Sequence, residues 1–142
     1  MTTEKNKEVF RQMVDEVFNQ GNISMVDELV APDFVEHEEL PPGIPEGIEG
    51  VKVLTSQLRK AFPDFKAEIE DLIAEGDRVV VRMNWTGTQQ DEFMGIPPTG
   101  KSISIEVIDI VRFAGGKFVE HWGVMDNMGM MQQLGVVPAP EE

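Results

Sequence analysis

The sequence contains no cysteine, so neither a disulfide framework nor a thiolate metal site is open to it. Only two histidines are present, His37 and His121, which argues against a metal centre. Basic residues are scarce: 12 Lys and Arg stand against 26 Asp and Glu, a formal net charge of −14. Such a chain repels phosphate backbones and has no basic stripe to offset this, so nucleic acid is not an expected partner. No apolar run approaches the roughly 18 residues of a membrane span, and no membrane contact is expected. The N-terminus leads into an amphipathic pattern and not a signal peptide, so the expected location is cytoplasmic. Internal repeats, low-complexity tracts, a Gly-rich phosphate loop and a nucleophile motif are missing too.

What remains suits one α+β domain over 1–142, ordered over about 4–135 with a tail at 136–142. Val9, Phe10, Met13, Val14, Val17 and Phe18 recur at helical spacing over residues 4–20, and Gly21 is placed to end that helix. A second short helix runs from Ser24 to Val30 and is stopped by Pro32. Asp33 to Glu38 is a short extended segment, followed by a loop rich in Pro and Gly. A third helix spans Ile48 to Ala61. The rest is strand: Phe65–Ala74, Arg78–Gln89, Lys101–Phe113 and Phe118–Met125, then a terminal helix capped by Asp126. Three helices followed by long strands predict helices packed on a strongly curved antiparallel sheet, a geometry that leaves a cavity.

The last hairpin decides which residues face that cavity. Two registers fit Gly115-Gly116: a two-residue loop pairs Phe113 with Phe118, whereas a three-residue loop, Gly115 to Lys117, sets Phe113 opposite Val119 and Arg112 opposite Glu120, an attractive cross-strand pair that favours the longer loop. One face then carries Val107, Asp109, Val111 and Phe113 beside Val119, His121, Gly123 and Met125. Asp109 is the single carboxylate on an apolar stripe, where it must find donors or become protonated. It either does acid/base work or sits hydrogen-bonded at a wet sheet end. His121 is a diagonal neighbour that Asp109 orients, or a packed ring bonded to backbone. Gln89 and Trp85 share a face with Val81 and Met83, so both are candidates to line the pocket. His37, among Glu36, Glu38 and Glu39, reads as a polar pocket residue or a surface histidine, with a metal ligand the third option. Ile108, Ile110, Trp122 and Val124 fall on the opposite face, too apolar to leave bare, and predict a homodimer.

Several ordered segments carry a resemblance: Phe34-Val35-Glu36-His37, Ala61-Phe62-Pro63-Asp64, Glu75-Gly76-Asp77-Arg78-Val79, Thr86-Gly87-Thr88, Gly95 to Lys101, Glu120-His121-Trp122 and Gln132-Gln133-Leu134-Gly135. Together they make the chain resemble the SnoaL-like polyketide cyclases (ester cyclases) of the nuclear transport factor 2-like superfamily. The resemblance implies a cone-shaped α+β barrel, often dimeric through its sheet. It also implies ring closure by intramolecular aldol condensation without cofactor or metal. It places an acid/base aspartate at 123 and a histidine at 109, where this chain has Gly123 and Asp109. Gln89 likewise stands where relatives often have histidine.

Two function classes follow. As an enzyme, a lyase or isomerase, the protein would act on a small apolar carbonyl compound by proton transfer. Asp109, His121 and His37 would be catalytic, and Gln89, Trp85, Met125 and Gly123 would bind substrate. As a binding module it would hold a similar ligand without turnover.

Overall fold

Thr2 starts the first helix: its hydroxyl accepts the Lys5 backbone N–H, one of the donors a helix N-terminus leaves unpaired. The computed structural model describes residues 2–138, so residues 139–142 of the expected tail lie outside it. Helix α1 (Thr3–Gln12) continues as a π-helical segment, Met13–Phe18, in which the Asn19 N–H reaches back to the Val14 carbonyl. The extra residue in that turn brings Met13 and Phe18, which would diverge on an α-helix, towards one side. A short 3₁₀ turn, Ile23–Met25, leads into α2 (Val26–Leu29).

Strand β1 (Val30–Glu36) follows directly and runs through Pro32. Proline has no N–H for a ladder, so it suits a strand at the sheet edge, and β1 is an edge strand. Helix α3 (Gly47–Ala61) buries Leu58 and Ala61, and strands β2 (Lys66–Glu75), β3 (Arg78–Thr88), β4 (Ser102–Ala114) and β5 (Lys117–Met125) follow. Helix α4 (Asn127–Gln133) is capped by the Asp126 carboxylate, which accepts the Gly129 N–H.

The sheet order is β1-β5-β4-β3-β2. Neighbouring pairs are antiparallel except β1 with β5, which is parallel. The expected all-antiparallel sheet is therefore mixed, because the segment after α2 extends into a strand beside β5. The core lies on one face, where Phe10, Met13, Val14 and Val17 meet Val79, Val81, Met83, Ile105 and Val107.

The last hairpin corrects the expected register near its turn. Ala114 pairs with Lys117 and Phe113 with Phe118, so the loop is the two residues Gly115-Gly116. Both glycines have positive φ (58° and 77°), which a two-residue type I′ turn requires. A bulge at Val119 then restores Arg112 opposite Glu120, with Nε to Oε1 at 2.5 Å. From there Asp109 faces Gly123 and Val107 faces Met125, so Asp109 and His121 share a face despite the shorter turn.

Candidate active site

The inner face of the sheet is apolar except where β1, β5 and β4 run side by side. There Glu36, His121 and Asp109 meet in a line. His121 Nε2 lies 2.8 Å from Asp109 Oδ1, and its Nδ1 lies 2.6 Å from Glu36 Oε1. Both ring nitrogens thus face carboxylate oxygens, which favours a proton on each; against two ionised carboxylates a neutral ring would set a lone pair against an oxygen. Burial works against the charged ring, but the hydrogen bonds to Asp109 and Glu36 outweigh it and push His121 up to about 10. The ring is an imidazolium at neutral pH, and neither of its N–H groups is left for a ligand. Asp109, only 6% exposed, uses Oδ1 in this bond. Its Oδ2 takes no hydrogen bond from the described residues.

Glu38 lies two residues beyond Glu36 and turns to the same side. Burial, with the charges of Asp109 and Glu36, pushes its carboxyl up to about 7, although the His121 cation pulls the other way. Gly123 explains how these groups fit. A Cβ at that position would lie 2.5 Å from Asp109 Oδ1, 2.6 Å from Glu38 Oε1 and 2.8 Å from His121 Cε1. The glycine leaves a hollow on which three ionisable side chains converge.

The charged line forms one wall of a cavity of about 550 Å³, within the range of small-molecule sites. The other walls are apolar: Met13 and Phe18 from the first helix, Val51, Leu54 and Leu58 from α3, and Phe93 with Met94 from the loop after β3. Leu40, Pro41 and Pro42 also line it. Among the described residues, no group of three or more His, Cys, Asp and Glu is arranged to hold a metal ion.

Of the residues singled out in the sequence, Asp109, His121, Gly123, Met125 and Trp85 line this cavity. The Trp85 indole N–H is buried and has no partner among the described residues. His37 and Gln89 are placed elsewhere. Side chains alternate along β1 and its continuation, so His37 points away from Glu36 and Glu38. It stacks on Trp122 with ring centroids 4.8 Å apart and pairs with Glu120 at 2.7 Å. Gln89 is fully buried, but its amide nitrogen donates to the Asp91 and Ile96 carbonyls, and its oxygen accepts from the Thr99 N–H and hydroxyl. Its polar atoms hold the loop over 90–100 and offer nothing to a ligand. Glu36 and Glu38 were not among the expected site residues. The alternation Phe34, Glu36, Glu38 was the signal for them, once the segment is taken as a strand.

The model of the SnoaL-like polyketide cyclase family matches residues 8–134. The chain belongs to that family. Nogalonic acid methyl ester cyclase of Streptomyces nogalater is 30% identical over 120 residues, 83% of this chain and 89% of that one. Aklanonic acid methyl ester cyclase DauD of Streptomyces sp. (strain C5) is 32% identical, covering 94% of this chain and 84% of that one. The structure of TsrD from Streptomyces laurentii matches with a TM-score of 0.88 at 28% identity, over 96% of this chain and 99% of that one. The fold is accordingly the cone-shaped α+β barrel of the SnoaL-like proteins. At one strand pair the chain departs from the pattern that the resemblance implies. The carboxylate stands at 109 and the position directly opposite, 123, is empty of side chain.

Proposed function

We propose that this SnoaL-like protein closes a ring on a small, largely apolar polyketide-like carbonyl compound, by intramolecular aldol chemistry without a cofactor. One observation carries the proposal: the His121 ring is clamped between Glu36 and Asp109, and this places Asp109 in the wall of an apolar cavity with its Oδ2 unpaired among the described residues. Asp109 Oδ2 takes the proton from the carbon beside a carbonyl. The enolate forms next to the His121 cation, whose fixed charge favours it in a site of low dielectric. His121 therefore acts through charge and not by donating a hydrogen bond to the enolate oxygen, because both its N–H groups are taken. Glu36 orients the ring. The unpartnered Trp85 indole N–H supplies a donor for a carbonyl farther along the substrate. The names of the methyl ester cyclase relatives support the reaction class.

The test is Asp109→Asn, assayed on nogalonic and aklanonic acid methyl esters. A loss of about 10²-fold or more is expected of a general base. A loss below about tenfold refutes the role. If both proteins bind these esters alike and neither converts them, the chain is a binding module.

The proposal includes a homodimer through the outer face of the sheet. Ile73, Val80, Ile110 and Trp122 form one cross-strand row there, and Ile108 pairs with Val124 beside it. Ile73 and Val124 are 62% and 67% exposed, a patch that a second copy of the chain would cover.

A further inference from the structure

Aldol ring closure needs two proton transfers, and the groups assigned so far perform one. As the new C–C bond forms, the attacked carbonyl oxygen becomes an alkoxide and must receive a proton. Glu38 lines the cavity beside Asp109 and has no assigned task. Its Oε1 and Asp109 Oδ1 converge on the hollow at Gly123. Its backbone is held in place, with its N–H donating to Glu36 Oε1 at 2.9 Å and the preceding His37 N–H donating to the His121 carbonyl at 2.9 Å. Its carboxyl makes no hydrogen bond or ion pair with a described residue, so nothing in the wall binds its proton. Charge counting points the same way. The single imidazolium already faces two carboxylates, Glu36 and Asp109, and a third in the same half-dry wall is stabilised as the neutral acid.

Resting on the aldol reading above, we infer that Glu38 is the general acid of the reaction, the group that protonates the alkoxide while Asp109 serves as base. The step balances. Asp109 removes the proton from the carbon beside one carbonyl, and that electron pair forms the new C–C bond. The π bond of the second carbonyl breaks, its electrons move to oxygen, and the oxygen takes the Glu38 proton. Asp109 ends protonated and Glu38 ionised. Proton transfer between the two carboxyls across the hollow at Gly123 restores both, and no oxidant, reductant or other co-reactant is consumed.

The groups facing Glu38 are Asp109 from β4, His121 from β5 and Glu36 from β1, with Glu39 adjacent at the rim; the α3 wall presents Val51, Leu54 and Leu58. An acid must hold its proton, so kcat/KM is expected to fall as pH rises through about 7.

The experiment uses the full chain in D2O with the same two methyl esters, following ring closure and deuterium uptake at the reacting carbon separately. E38Q should lose ring closure by about 10²-fold or more while still exchanging deuterium, because the base is intact. D109N should lose both. In the residual activity of E38Q, the decline near pH 7 should be gone. Glu38→Ala is run alongside, with melting curves for each variant, so that a folding defect in one does not decide the result. E38Q closing the ring within about threefold of wild type, well short of a general acid's contribution, overturns the assignment. So does E38Q losing exchange as fully as closure. If wild type neither exchanges nor closes, the aldol reading falls and the Glu38 assignment falls with it. If wild type is active, D109N is dead and E38Q is unimpaired, only the Glu38 assignment falls.

Discussion

Gly123→Ala adds one methyl group to the hollow on which the charged residues converge. Its backbone φ lies outside the left-handed region, so the effect is one of space alone. The new Cβ would lie 2.5 Å from Asp109 Oδ1, 2.6 Å from Glu38 Oε1 and 2.8 Å from His121 Cε1, all closer than such contacts allow. Glu38 can swing into the cavity. Asp109 and His121 cannot both move without lengthening the bond between them. Overpacking of this kind costs about 1–3 kcal/mol, and losing a charge-assisted hydrogen bond costs a similar amount. For a chain of this size that lowers Tm by about 3–10 °C. The diagnostic is the cycle with Asp109→Gly, read by urea denaturation. Asp109→Gly removes the nearest obstructing atom, so Gly123→Ala should cost at least about 1 kcal/mol less in that background. Costs that add to within about 0.5 kcal/mol would refute the argument that the carboxylate at 109 fills the space of a side chain at 123.

Two further outcomes are expected. His121 titrates near 10 in the folded chain against 6.5 as its ordinary value, so its ion pairs contribute in full below about pH 6.5 and are lost as pH rises through about 10. Urea denaturation from pH 6 to 10.5 should show that decline, and His121→Phe should remove it; an unchanged slope refutes the imidazolium. Sedimentation at micromolar concentration should give twice the chain mass, and Val124→Glu should shift it to the monomer; a wild-type monomer refutes the outer-face interface.

The long strands and the inner face of the last hairpin were legible because alternation is a period-two signal that survives small errors. The hairpin shows how it survives. Two glycines permit a tighter turn than charge pairing suggested, and one extra residue at Val119 returns the strands to the Arg112–Glu120 register. Gln89 departs from its expected place in the pocket wall for the complementary reason. Strand parity places it on the inner face, but parity says nothing about backbone groups returning from a loop that takes up its amide. In the sequence His37 stands out as one of two histidines, and the acids beside it look like its surroundings. Once the segment is a strand, parity sends His37 outward and Glu36 and Glu38 inward. What the sequence could not disclose is that β1 lies parallel beside β5, since that neighbour is 85 residues away for the Glu36–His121 contact.

The cavity has two kinds of wall, built by different parts of the chain. Every group assigned to proton transfer sits on β1, β4, β5 or the residues just after β1. The apolar contour of the cavity comes largely from α3, the first helix and the loop carrying Phe93 and Met94. Exchanging Val51 or Leu54 for larger or smaller residues alters the shape that is admitted without touching a charged contact. The charged wall and the shape of the cavity can therefore change independently, one anchored in hydrogen-bonded strands and the other set by apolar surfaces that tolerate substitution.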